Sequence, residues 1–331
     1  MSEVMISSDG TFDAPSTCAD MLTDAGFKVR FPKDRDFPIG TRPEDVTIEE
    51  LRGVVGVLAW GERYSKKVID ALPDLRIIAR VGVGFDSVDT EAATDRGVVV
   101  PITPNANHEA VAEHAMALLF AVAKHIVSCD QAMRRGEWPS ADFAPVRRQT
   151  LGIVGLGRIG RSTAVRALGM RMQVVASDPY ADREFAKEHG IELVELDELL
   201  GRSDYVTMHS PLSDATHGMM NAEKFSKMKK GSVFLNTARG GLVVENDLID
   251  ALNSGHLRAA GLDVFETEPT TADNPLFQME NVVVSSHKAG NDYVSMEDMG
   301  IEAAQCVIDV GQGKWPEGAV INRDVKDRFK L

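Results

Sequence analysis

Cysteine is scarce in this chain: three in 331 residues, at positions 18, 129 and 306. Their odd number, wide spacing and lack of any CxxC exclude a disulfide framework or a clustered zinc site and fit a reducing, cytoplasmic setting. Positive charge is also short, with 36 Lys and Arg against 50 Asp and Glu and a formal net charge of −14. That deficit excludes nucleic acid and anionic membrane surfaces as partners. The only short basic clusters, at 147–148 and 227–230, read as solvated surface. No apolar run approaches the length of a membrane span. The N-terminus lacks a basic start followed by a sustained apolar segment, so no signal peptide is expected. His108-Glu109 begins like a zinc-protease helix, but the next histidine, His114, is six residues on and off that face, so no metal is expected. Low-complexity segments and internal repeats are missing too.

What the chain has is regular alternation of short apolar runs and helical stretches, over a length that suits two domains. Strands are expected at 4–7, 28–31, 54–58, 76–79 and 98–100, with helices at 16–25, 65–72 and 88–95. A long helix at 107–126 carries the chain into a second part. There strands are expected at 151–154, 173–177, 192–194, 204–208, 232–236, 258–264 and 281–286. A last helix at 295–310 and the tail at 319–322 return to the first part, which makes that domain discontinuous. Such alternation implies an α/β fold with parallel sheets and helices on their faces.

The most informative stretch runs Leu151-Gly-Ile-Val-Gly155-Leu-Gly157-Arg-Ile-Gly160: a strand, a Gly155-x-Gly157-x-x-Gly160 turn, then a helix. In a dinucleotide site Gly155 permits the tight turn, Gly157 lets the backbone approach a pyrophosphate, and Gly160 lets helix and strand pack closely. A second strand ends in Asp178, 18 residues after Gly160, where a carboxylate can accept from adenosine ribose hydroxyls. Asp178 would repel a 2′-phosphate, which favours NAD over NADP.

Polar residues follow the later strands: His209-Ser-Pro, Thr237-Ala-Arg239, Asp263 with Glu268 beyond it, and His287. In open α/β sheets ligands bind at these C-terminal ends. Arg239 is suited to a substrate carboxylate, because guanidinium is always charged and binds it in bidentate fashion. His287 is suited to proton transfer near neutrality. Glu268 is placed to hydrogen-bond its other nitrogen and favour the charged ring. Asp263 can accept from a nicotinamide amide, and His209 with Pro211 shapes the cofactor cleft. In the first half, Arg80-Val-Gly82-Val83-Gly84 offers backbone N–H groups to a carboxylate or forms an ordinary turn.

These stretches resemble the D-isomer-specific 2-hydroxyacid dehydrogenases, especially the phosphoglycerate dehydrogenase branch, over about residues 50–322. The matching segments are 79–89, 104–114, 151–161, 209–212, 236–241 and 262–269. The resemblance implies two doubly wound parallel-sheet domains: a flavodoxin-like substrate domain at 1–103 and 291–331, and a Rossmann NAD-binding domain at 104–290. It makes Arg239, Glu268 and His287 the catalytic set. It makes Thr103, Arg158, Ile159, Asp178, Ser210, Thr237 and Asp263 cofactor contacts, beside Gly155, Gly157, Gly160, Pro211, Ala238 and Gly290. Arg80, Gly82, Val83 and Gly84, with Arg239, become the substrate-carboxylate site, in a cleft between the domains. A homodimer joined mainly by the second domain is implied as well. Two segments depart from the family: Lys288 follows the histidine where an aliphatic residue is usual, and 144–150 lacks the usual linker pattern. Regulatory domains beyond Leu331, and serine control through them, are not expected.

The expected reaction interconverts a small D-2-hydroxy acid and its 2-oxo acid with NAD, with phosphoglycerate, glycerate or glyoxylate-like substrates. The rivals are an NAD-sensing corepressor-like dimer and a phosphite- or formate-type dehydrogenase; Glu268, where formate enzymes typically carry glutamine, argues against the last.

Overall fold

The computed structural model describes residues 2–7, 16–140 and 143–328; positions 1 and 329–331, the outer ends of the expected first domain, lie outside the described residues. Two compact units emerge, 1–107 with 291–331, and 108–290, so the division falls at Asn107/His108 where 103/104 was expected.

The first unit opens with β1 (Glu3–Ile6), α1 (Thr17–Asp24), β2 (Lys28–Arg30), α2 (Glu44–Leu51), β3 (Val54–Ala59), α3 (Lys66–Asp70), β4 (Ile77–Arg80) and α4 (Thr90–Asp95). Among the described residues its sheet is parallel, in the order β2-β1-β3-β4. The β-branched β3 is buried along almost its whole length, as an interior parallel strand must be. Asp89 caps α4 by accepting from the Ala92 N–H at 2.9 Å, so this helix starts at Thr90 and not at the expected Val88. The expected strand at 98–100 forms only an isolated bridge, Val99 beside Ile77. On its far side the Asn322 amide substitutes for a strand, accepting from Val100 N–H and donating to Val98 C=O, each at 2.9 Å.

The second unit runs through α5 (His108–Ala123), α6 (Ile126–Arg134), β5 (Thr150–Val154), α7 (Arg158–Gly169), β6 (Gln173–Ser177), α8 (Arg183–Glu188), β7 (Glu192–Leu193), α9 (Leu196–Arg202), β8 (Tyr205–Met208), α10 (Ala222–Lys227), β9 (Ser232–Asn236), α11 (Glu245–Asn253), β10 (Leu257–Leu262) and β11 (Val282–Val284). The long helix expected at 107–126 is α5, which ends at Ala123, and a further helix, α6, follows it. His125 takes a left-handed φ of 52°, and α6 leaves α5 at 58°. Arg166 on α7 clamps α5 through Glu109 at 2.6 Å and Glu113 at 2.9 Å.

The parallel order is β11-β10-β9-β8-β5-β6-β7 among the described residues, so the winding reverses at β5. Register matters here. Ser177, Val154, Met208, Asn236, Leu262 and Val284 pair successively across the sheet in a single row. Six strands therefore end at one level, and the next residue of each, in sheet order, is Asp178, Gly155, His209, Thr237, Asp263 and Ser285.

The chain then re-enters the first unit through α12 (Tyr293–Gly311), capped by Asp292, whose side chain accepts from Ser295 N–H at 2.7 Å. Met296, Met299, Ala303 and Val307 on α12 are buried with Val4, Leu22 and Leu58 in one apolar cluster. Val320 pairs antiparallel with Pro101.

Candidate active site

The glycine turn after β5 is dictated by close approach. Gly155 has φ 96°, and a Cβ there would lie 2.7 Å from the His209 carbonyl carbon. A Cβ on Gly160 would lie 2.1 Å from the Gly155 carbonyl oxygen. Gly157, just before α7, differs: a Cβ there would meet nothing within 4 Å. Backbone therefore faces open space exactly where the unpaired N–H groups of the first helical turn gather, a site suited to an anion.

Asp178 stands beside this turn at the end of β6. Its Oδ2 accepts from the Leu156 N–H and its Oδ1 from the Tyr180 N–H, both at 2.7 Å. The carboxylate is thus fixed, with lone pairs left for hydroxyl donors. Arg161 holds the same turn from its other side, donating to the Leu156 carbonyl at 3.2 Å and pairing with Asp182 at 3.1 Å.

At the C-terminal ends of the second unit's strands, two buried polar atoms lack a hydrogen-bond partner among the described residues, Thr237 Oγ1 and His209 Nδ1. Such orphans are costly unless something meets them. The other His209 nitrogen, Nε2, lies 3.1 Å from Thr207 Oγ1. Burial pushes the ring from its usual 6.5 down to about 3, so it is neutral near pH 7. Ser210 donates to the Val154 carbonyl at 3.2 Å. An open glycine cradle, a fixed carboxylate and orphaned hydrogen-bonding atoms are the donor and acceptor set that a dinucleotide requires.

On the sheet's other wing, His287 Nδ1 lies 2.6 Å from Glu268 Oε2, and Glu268 Oε1 accepts from the Phe265 N–H at 2.8 Å. Burial works to raise the Glu268 carboxyl, but the His287 hydrogen bond and charge, the Phe265 N–H and the Arg239 charge together hold it below the usual carboxylate range. An ionised carboxylate only accepts, so His287 carries hydrogen on Nδ1 and its Nε2 is left to give or take a proton. Arg239 follows β9; its Nη1 donates to the Ala238 carbonyl at 2.7 Å, while Asn236 Nδ2 donates to the Arg239 carbonyl at 3.0 Å. The Arg239 charge also acts on the Glu268 carboxyl.

Asp263 is fully buried, and both its oxygens serve the His287 loop. Oδ1 accepts from the Ser285 hydroxyl at 2.6 Å and the Lys288 N–H at 3.0 Å, and Oδ2 from the Ala289 N–H at 2.8 Å. Its backbone carbonyl accepts from the His287 N–H at 2.7 Å. Sequence reasoning placed Asp263 against a cofactor amide and missed Ser285; only the pairing of β10 with β11 shows the contact.

In the first unit, Thr103 is fully buried and clasps the loop after β4: its Oγ1 accepts from the Gly82 N–H at 2.9 Å, and its N–H donates to the Gly82 carbonyl at 3.0 Å. Gly82 thus gives its N–H to Thr103, leaving Val83 and Gly84 as the loop's remaining N–H groups. Arg80 braces the loop, donating to the Gly84 carbonyl at 3.0 Å and to the Trp60 carbonyl. Among the described residues no three His, Cys, Asp or Glu side chains gather to hold a metal ion, and no single helix is long and apolar enough to cross a membrane.

Residues 116–289 match the family model described as D-isomer specific 2-hydroxyacid dehydrogenase, NAD binding domain. D-3-phosphoglycerate dehydrogenase of Mycobacterium bovis is 42% identical over 320 residues, covering 94% of this chain, which spans only 59% of that relative's length. Glyoxylate reductase of Korarchaeum cryptofilum is 39% identical, with 85% of this chain and 86% of that protein aligned. A crystal structure of D-lactate dehydrogenase from Aquifex aeolicus, complexed with NAD and lactic acid, superposes with a TM-score of 0.83 at 28% identity, covering 96% of this chain and 99% of that one. NAD is the cofactor of the matched domain, and the turn at 155–160 with Asp178 fits it. With the family model covering more than half its length, this chain belongs to the D-isomer specific 2-hydroxyacid dehydrogenases.

Proposed function

We propose that this chain is an NAD-dependent dehydrogenase that interconverts a small D-2-hydroxy acid and its 2-oxo acid. The observation that carries the reading is the 2.6 Å bond between His287 Nδ1 and Glu268, which leaves Nε2 as the proton donor and acceptor. Hydride exchange is the chemistry that a nicotinamide dinucleotide supplies when bound. In reduction, His287 Nε2 gives its proton to the substrate oxygen, while Glu268 stabilises the imidazolium and keeps the ring oriented. Arg239 holds the substrate carboxylate. The N–H groups of Val83 and Gly84 are assigned to carboxylate binding, and Thr237, Ala238, Ser210, Pro211 and Gly290 to cofactor binding with Arg158 and Ile159. The Asp178 carboxylate selects NAD over its 2′-phosphorylated form.

The test is NADH oxidation with glyoxylate, hydroxypyruvate, phosphohydroxypyruvate, pyruvate and bulkier 2-oxo acids. Turnover of at least one supports the reading; tight NAD binding without turnover of any supports a cofactor-sensing role instead. The names of the relatives favour glyoxylate, phosphohydroxypyruvate and pyruvate over bulkier acids.

The working form proposed is a cytoplasmic homodimer. Supporting it, Ile126, Val127 and Met133 on α6 and Trp138 and Phe143 beyond it are exposed apolar side chains close in sequence, a patch that a second copy would cover. The three cysteines are unpaired thiols, as a reducing compartment requires.

A further inference from the structure

His114, which carries no role in the reaction described above, reaches the catalytic loop through one hydroxyl. Its Nε2 lies 2.8 Å from Ser285 Oγ and 3.6 Å from Asp263 Oδ1, joining α5 to the end of β11 across 171 residues of sequence. Ser285 has a single hydroxyl proton and gives it to Asp263 at 2.6 Å. Its oxygen can then only accept from His114, which places a hydrogen on His114 Nε2. The result is a directed chain: His114 N–H to Ser285, Ser285 O–H to Asp263.

Asp263 in turn sets the shape of the His287 loop. Three successive backbone N–H groups, of His287, Lys288 and Ala289, all end on this one residue. They hold His287 at a φ of 54°, a left-handed conformation that a non-glycine residue keeps only when its surroundings enforce it. Because Asp263 Oδ1 is shared between Ser285 and Lys288, rotation of the carboxylate about its own axis would break both bonds. The Ser285 hydroxyl, itself held by His114, is one of the three donors that fix this carboxylate.

We propose that His114 and Ser285 are positioning residues: through Asp263 they lock the loop that aims His287 at Glu268 and at the reacting oxygen. The inference rests on the dehydrogenase reading for its kinetic consequence, but the geometry it describes is independent of substrate. Neither residue touches the reacting atoms, so the effect falls on kcat and not on binding.

The experiment compares Ser285→Ala with Ser285→Thr, and His114→Phe with His114→Gln, in the full chain. Ser285→Ala and His114→Phe are expected to lower kcat by about 10- to 100-fold, the cost of sub-ångström to ångström misplacement of a catalytic group. KM for the 2-oxo acid, NADH affinity from its fluorescence, and thermal unfolding stay as in the parent chain. Ser285→Thr keeps the hydroxyl and His114→Gln keeps an N–H donor, so both recover most of the rate. The second readout is the downfield proton resonance of His287 Nδ1–H in its bond to Glu268, assigned by its loss in His287→Gln. It moves or broadens in Ser285→Ala and returns in Ser285→Thr. An unchanged kcat and an unmoved resonance in both Ser285→Ala and His114→Phe overturn the proposal. If the parent chain reduces no 2-oxo acid, the dehydrogenase reading fails separately, and the resonance alone decides: displacement upholds the positioning role, constancy refutes it.

Discussion

In the proposed reaction His287 moves the proton and Asp178 reads the adenosine end of the cofactor, and each role has a distinct expected signature. Replacing His287 by Gln removes the proton donor and lowers kcat by about 10²–10⁴-fold while NADH binding, followed by fluorescence, is retained. Equal loss of NADH affinity would assign His287 to cofactor binding instead. Replacing Asp178 by Asn removes the charge at the adenosine end and narrows the preference for NADH over NADPH, measured as a ratio of kcat/KM values. His209 leaves its mark on stability. Its ring is held near 3 in the fold against 6.5 when exposed, so below pH 6.5 the unfolded chain binds a proton that the folded chain refuses. Stability is complete above pH 6.5 and falls as pH drops towards 3, by about 1.4 kcal/mol per pH unit for one proton. Urea unfolding of His209→Asn across that range should lose this slope; identical slopes would show that burial does not keep the ring neutral. Glu268 acts in the same direction at lower pH, since a depressed carboxyl contributes stability above its usual 4.5 that is lost as pH falls through its folded value.

The strand, glycine turn and helix at 150–169 combine two demands that substitution can separate. Gly160→Ala drives a methyl against the Gly155 carbonyl at 2.1 Å, backbone against backbone, so the fold itself gives way by about 1–3 kcal/mol. Gly157→Ala places its methyl in open space, so thermal unfolding stays as in the parent chain while dinucleotide affinity drops, because the methyl occupies the anion's approach. Loss of stability in Gly157→Ala would contradict that division. This element was legible in the sequence because every constraint lies within about 30 residues: an apolar run, three spaced glycines and a carboxylate after the next strand. The His287–Glu268 pair was legible through its order after strands and its family resemblance, not through any local spacing. His114 was not: its partner Ser285 is 171 positions away, and only the packing of α5 beside β10 and β11 joins them. The bend at His125 escaped for another reason. The apolar spacing of α5 runs up to the break, and nothing in composition announces a left-handed histidine there.

Over the whole molecule, alternation of strand and helix predicted both parallel sheets, and the register of the second explains why separated residues act together. Six strands end on one row, so the position after each faces the same edge at strand spacings of about 4.8 Å. Where the sheet reading overreached, at 98–100, Val99 makes one parallel bridge to β4 and the ladder then stops at Pro101, which has no N–H to give, although Arg80 still donates to the Pro101 carbonyl at 2.8 Å. At this scale the exposed apolar set around α6 predicts self-association: sedimentation should give a dimer, and Trp138→Lys combined with Met133→Lys should shift it towards monomer.

Turnover in the proposed reaction depends on Arg239, Glu268 and His287 acting as one catalytic set. The most direct measurement is steady-state NADH oxidation by Arg239→Ala beside the parent chain, using whichever 2-oxo acid the parent reduces best. A raised KM together with a lowered kcat is predicted, because in the proposed reaction the guanidinium holds the carboxylate while its charge also acts on Glu268; unchanged kinetics would contradict it.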